Sequence, residues 1–227
     1  MKISIHQPEH LPWLGFFHKM SKCDSYVLLD SVQFTKNNYQ NRNRLVDREG
    51  NVFWSTVPVR MTGHTSRSIC EMEIDNSQPW SRKSWARIVA SYRQHPYFDR
   101  LAPELESLFS AKYGLLVDLN LALIELFRRE LEISVPMYRS SEMGISGSRS
   151  SLLLAICQAL EADTYLSGPS GRHYLDVQLF QEGRVSVEYH DFLHPQYKAP
   201  AFRPYLSTLD LLMNHGPSSR SILGLLE

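Results

Sequence analysis

Ile3-Ser-Ile-His-Gln-Pro-Glu-His-Leu-Pro-Trp-Leu-Gly-Phe-Phe17 is the stretch whose reading decides the fold. A short apolar run ends in His6-Gln7, and a Pro-stiffened aromatic loop follows. A second apolar run, Tyr26 to Leu29, ends in Asp30, and a cluster of amides and cations comes after it. Two buried strands that hand over to polar groups at one sheet edge are how open α/β proteins build sites. Lys2 to His6 and Tyr26 to Leu29 therefore read as strands, joined by a helix over Gly15 to Lys22.

Working outward, Val52 to Val57 reads as a strand ended by Pro58, with a hairpin turn at Asp47-Arg-Glu-Gly50 before it. Met61 to Arg67 reads as a polar loop, and Ser68 to Ile74 alternates like an edge strand. Helical spacing then takes over. Ser81 to Gln94, Leu101 to Lys112 and Leu115 to Glu130 each carry apolar residues three to four apart. Ile133 to Met137 reads as a strand, and Ser148 or Ser150 as the cap of a helix running to Glu161. Thr164 to Leu166 and Val185 to Tyr189 are expected strands around a helical Leu175 to Glu182, with a late helix over Tyr205 to Asn214. The pattern predicts one α/β domain over 1–227: a mixed or mostly parallel sheet flanked by helices, with a helical insertion over roughly 80–131.

Composition narrows the function classes. Lys+Arg and Asp+Glu balance at 24 each, so no basic field points to nucleic acid. No stretch approaches the roughly 18 apolar residues of a membrane span. Met1-Lys2 leads straight into a strand-like run, which argues against a secretory signal. Cys23, Cys70 and Cys157 are widely spaced without a CxxC pair, which fits small core residues in a reduced, cytoplasmic setting.

His6, at a strand end, is a candidate general base, hydrogen-bond donor to a substrate anion or metal ligand, the bland alternative being a structural histidine bonded to backbone in the turn. Gln7 and Trp13 lie beside it. Asp30, Gln33, Lys36, Asn41, Arg42, Asn43 and Arg44 form the second cluster; an Asp at a strand end can bind a metal, a ribose or an ammonium, and Lys or Arg a phosphate or carboxylate. The bland alternative is a solvated polar loop. Tyr165-Leu-Ser-Gly-Pro-Ser-Gly-Arg-His-Tyr174 runs from a strand into a Ser/Gly loop that opens a helix, where backbone amides can hold an anion. Ser167, Gly168, Arg172 and Tyr174 are its candidates. Equally, it is a tight turn in which Gly168 and Gly171 supply positive φ. His190 and His194 lack an identifiable third metal ligand. No metal or nucleotide motif of good specificity is present, so the cofactor is left open, and so is the oligomeric state.

These residues also carry a resemblance. Ile5-His-Gln-Pro-Glu-His-Leu-Pro-Trp-Leu-Gly-Phe-Phe17, Leu29-Asp-Ser-Val-Gln-Phe34, Lys36 and Asn41-Arg-Asn43 are similar to the WbqC-like protein family. Val57-Pro-Val59, Tyr165-Leu-Ser-Gly168, Tyr174-Leu175, His194-Pro-Gln-Tyr197 and Ser207-Thr-Leu-Asp-Leu-Leu212 extend the likeness over nearly the whole chain. The chain departs from the family pattern at His10, where an aromatic residue is frequent, and at Ser31, where a second Asp is common. Glu161-Ala-Asp163 also replaces the usual Gly-Ala. The resemblance implies a role in bacterial surface-polysaccharide and O-antigen assembly, with members labelled glycine or acyl transferases.

Three functions follow. In the first, an acyl or aminoacyl group moves from an activated donor to an amino sugar or similar amine. His6 is the base, Asp30 orients it or the amine, and Gln33, Asn41 or Asn43 donates to the oxyanion. Ser167, Gly168 and Arg172 hold the donor. In the second, the enzyme is a nucleotidyltransferase, because His10, Gly15 and Ile145-Ser-Gly-Ser-Arg149 loosely resemble the HxGH enzymes. In the third, it is a non-catalytic scaffold of the same pathway.

Overall fold

β1 (Lys2–His6) is flanked on both sides by parallel partners, and its interior residues are all buried. A strand covered on both faces must be apolar on both, which is why Ile3 and Ile5 alternate only with the small Ser4. The computed structural model describes residues 1–63 and 66–225. Its main sheet also contains β2 (Ser25–Leu28), β5 (Met137–Arg139), β6 (Thr164–Ser167) and β7 (Ser186–Tyr189). The order is β5-β2-β1-β6-β7, with every pairing parallel. The chain winds outward from β1 to β2 and β5, then returns to the other side of β1 for β6 and β7. The reversal lies between β1 and β6.

The period of two along the strands divides the core. Ile3, Ile5, Val27 and Tyr165 pack with α5 (Arg149–Ala159) and α6 (Val177–Glu182). Tyr26 and Leu28 point the other way, toward α1 (Leu14–Ser21), α4 (Leu116–Glu130) and α7 (Thr208–His215). α2 (Trp80–Tyr92) and α3 (Phe98–Ser110) precede α4 and complete the expected helical insertion. A short α8 (Ser219–Ile222) follows α7. Among the described residues, no helix is long and apolar enough to cross a membrane.

Four local expectations change. Asn41 to Arg44 is not a solvated loop, because Arg42–Val46 forms β3, antiparallel to β4 (Val52–Thr56). The two strands make a separate hairpin, and its turn has Gly50 at φ +84°. Asparagine is rare in strands, and this one hides its strand by burying Asn43 where an apolar residue would announce it. Ser68 to Ile74 is a 3-10 turn over Ile69–Glu71 with isolated pairings rather than an edge strand. The Glu71 carboxylate accepts from both the Ser68 amide (2.9 Å) and its hydroxyl (2.6 Å), which curls the chain. The strand expected over 133–137 begins only at Met137, because Pro136 has no N–H to give the ladder. The late helix expected over 205–214 begins only at Thr208, as α7, after Ser207 accepts the Leu209 amide at 3.2 Å. Residues 64 and 65 of the expected polar loop lie outside the described residues.

Candidate active site

A cleft of about 820 Å³ opens at the C-terminal edge of β1 and β6, at the reversal of strand order. This is where open α/β sheets bind ligands, because the connections diverge there and leave a crevice. One wall is Ile5, His6, Gln7 and Glu9; Leu29 and Val32 continue it past β2. Asn38, Tyr39 and Gln40 cover one side. Arg149, Leu152 and Leu153 at the start of α5, with Tyr165, Ser170 and Tyr174, form the other. The Asn38–Gln40 segment is held from two directions. The His10 amide donates to the Tyr39 carbonyl at 2.9 Å, and Asn120 of α4 donates to the Gln40 carbonyl at 2.8 Å. The helical insertion thus braces a wall of the cleft.

His6 leaves 31% of its side chain exposed, with Nδ1 3.2 Å from the Tyr26 hydroxyl and Nε2 3.7 Å from Glu9 Oε1. Burial, then the charge of Lys19 and the nearby His190, hold its pKa well below the usual histidine value, so the imidazole is neutral. Glu9 is only 7% exposed, and burial pushes its carboxyl up to about 8 against the pull of Lys19 and the Trp13 backbone. Lys19, also buried, is drawn down to about 8 by desolvation and donates to the Ile5 carbonyl at 3.3 Å.

Gln7 has a defined orientation. The Thr35 backbone amide can only donate, and it donates to Gln40 Oε1 at 2.9 Å. Gln40 Nε2 must then donate to Gln7 Oε1, also at 2.9 Å. The amide nitrogen of Gln7 is left as a donor at the cleft wall.

The other expected site residues divide sharply. Tyr174 lines the cleft and is 59% exposed. Asp30 does not orient His6. Its Oδ1 accepts from Ser140 Oγ (3.2 Å) and the Ser141 amide (2.9 Å), and its Oδ2 from Arg139 Nε and Ser141 Oγ (both 2.8 Å). It ties the end of β2 to the turn after β5. Asn41 and Asn43 are spent as well, donating at 2.9 Å to the carbonyls of Val57 and Leu11. The second bond holds Leu11 at φ +46° and so shapes the loop after β1. Arg42 clamps the Asn37 carbonyl at 2.6 Å and lies over the Trp54 ring, and Arg44 donates to the Tyr205 carbonyl. Arg172 turns away to Asp191 and the Tyr189 ring. Trp13 packs on Phe192 and Tyr205. Gln33 pairs its backbone with Ser68 outside the cleft, and Lys36 sits on an exposed loop.

Ser167 ends β6, its hydroxyl donating to the Gly168 carbonyl at 3.1 Å. The expected positive φ at Gly168 and Gly171 is absent; Gly168 has φ −66° and opens a 3-10 turn. Gly171 is needed for space instead, because a Cβ there would stand 2.1 Å from Ser167 Oγ.

The model of the WbqC-like protein family matches residues 7–222. The chain belongs to that family. A relative, the uncharacterized protein Rv1507c of Mycobacterium tuberculosis, is 30% identical over 226 residues, covering 98% of this chain and 97% of its own. No solved structure matches.

Within this WbqC-like chain the sequence pointed to His6, Gln7 and Tyr174 and passed over Glu9, Lys19, Gln40 and Arg149. Glu9 was visible only as part of His-Gln-Pro-Glu-His. Lys19 lies in an apolar helix, Leu14 to Met20, and a lysine inside such a run is the signal that was available. Arg149 stands in Ile145-Ser-Gly-Ser-Arg149, but only topology brings it opposite β1.

Proposed function

We propose that this protein is a transferase of bacterial surface-polysaccharide assembly, working in the cytoplasm, that moves an acyl or aminoacyl (glycine-type) group from an activated donor to an amino sugar or similar amine. The observation that carries the reading is one shared wall: His6 and Gln7, adjacent at the end of β1, both line the cleft at the reversal of strand order. A neutral imidazole can accept the proton that the amine loses as its nitrogen attacks the donor carbonyl. The Gln7 amide, fixed through Gln40, supplies a hydrogen bond to the oxygen on which negative charge develops. Leu29, Val32, Leu152 and Leu153 give the cleft an apolar lining beside these groups. The leaving group then takes the proton back from the imidazole.

A second reading, nucleotidyl transfer, is favoured by the strand order, which places the crevice where doubly wound sheets take mononucleotides, and by Arg149 at the start of α5 on the opposite wall. Thermal unfolding with acetyl-coenzyme A, ATP and CTP separates the two. A ligand at a hundredfold its Kd stabilises by about 2.7 kcal/mol, a shift of several degrees. A shift with the acyl donor that His6→Ala leaves intact while turnover vanishes supports the first reading. A shift with ATP or CTP alone supports the second, and no shift with any of them counts against both.

A further inference from the structure

We infer that Glu9 is the positioning residue of the cleft: its carboxyl and the His6 imidazole form one acid–base unit that gains and loses a single proton. The inference rests on the reading of the His6 wall as a transfer site. Buried carboxylates ordinarily have their oxygens filled by donors. Glu9 Oε2 has no hydrogen-bond partner among the described residues, although the side chain is almost fully enclosed. The other oxygen faces His6 Nε2 at 3.7 Å, too long for a hydrogen bond and within the range at which two charges act on each other. On the far side, the Tyr26 hydroxyl meets His6 Nδ1, and burial keeps that phenol protonated. Lys19 of α1 lies beneath, and His190, beyond β7, is the remaining group whose charge reaches His6. The imidazole alone is a weak base in this setting, and the carboxyl gives the unit an affinity for protons near neutral pH.

The step balances with one proton. As the amine nitrogen bonds to the donor carbonyl carbon, its N–H bond breaks and the proton passes to His6 Nε2. The Glu9 carboxylate offsets the imidazolium charge. When the bond to the leaving group breaks with its electron pair, the proton goes from the unit to that group. The empty form of the unit starts the cycle, so activity rises with pH as the unit loses its proton.

The test is a titration of the His6 imidazole by NMR in the full chain, in the wild type, Glu9→Gln and Lys19→Met. The wild-type His6 signals are expected to inflect near pH 8, the range to which burial pushes Glu9. Glu9→Gln should abolish that inflection. Lys19→Met, which removes the buried cation, should move it upward, and this variant serves if Glu9→Gln does not fold. With a turnover assay in hand, the alkaline rise in kcat/KM should follow the same inflection and vanish in Glu9→Gln, with a loss of about tenfold or more. An absent inflection, or one unchanged in both variants, overturns the inference whatever the activity. An inflection that behaves as expected in a protein inert toward acyl and nucleotide donors upholds the coupled pair and overturns the transferase reading instead.

Discussion

Asp30 and Glu9 are two buried carboxylates at the same edge of the sheet, one after β2 and the other in the loop after β1. They differ in what fills their oxygens. Asp30 receives four donors from Arg139, Ser140 and Ser141. Glu9 keeps one oxygen without a partner, and its carboxyl has only the Trp13 backbone and a distant His6 to oppose it. A carboxylate whose lone pairs are all satisfied by its own chain stabilises the fold and has nothing left to offer a ligand. One enclosed but unsatisfied is costly to keep, and is a candidate for function. The comparison separates structural from chemical roles at one sheet edge more clearly than burial does.

Four substitutions test that contrast, from the largest expected effect to the smallest. Asp30→Ala should cost about 3 kcal/mol or more, because it strands the Arg139 guanidinium and the Ser141 amide together. Urea unfolding measures it, and a cost below about 1 kcal/mol would deny the structural role. Gly171→Ala should cost about 1–3 kcal/mol through overpacking against the Ser167 hydroxyl, with part of the loss recovered when Ser167→Ala is added. Purely additive losses would show that the close approach is not the cause.

His10 comes next. Both of its ring nitrogens are buried with no well-formed hydrogen bond, and burial holds its pKa at about 3 against an ordinary 6.5, opposed by the polar side chain of nearby Asn120. The folded chain therefore binds fewer protons there than the unfolded one, and stability falls as pH drops from about 6.5 toward 3. His10→Phe should add about 1 kcal/mol at neutral pH and move acid unfolding to lower pH, followed by circular dichroism. An unmoved acid midpoint would mean that the His10 nitrogens find water inside. Glu9→Gln, the smallest in stability, should change it by less than about 1 kcal/mol, since shape is kept and little bonding is lost. A loss as large as that of Asp30→Ala would erase the contrast.

Much of the sheet is legible in the sequence. The runs Lys2 to His6 and Tyr26 to Leu29 have the length and apolarity of buried parallel strands, and both appear within a residue of their expected ends. The helices of the insertion were equally plain from their spacing. Arg42–Val46 was not, because strand signals are read from apolar alternation and this strand buries an asparagine bonded to the Leu11 carbonyl. The site was half legible. His6 and Gln7 announce themselves at a strand end, whereas Asp30, Asn41, Asn43 and Arg172 look the same in sequence whether they meet a ligand or their own chain.

The sequence by itself determined that this is an α/β chain with a polar edge after its first two strands, because hydrophobic period and turn residues are local properties. Only the tertiary structure decided which polar groups at that edge remain available. Hydrogen-bond satisfaction depends on partners more than a hundred residues away, as Arg139 to Ser141 are for Asp30. The return of the chain to β6 brings Arg149, Ser170 and Tyr174 opposite His6 and Glu9, and the cleft lies between them.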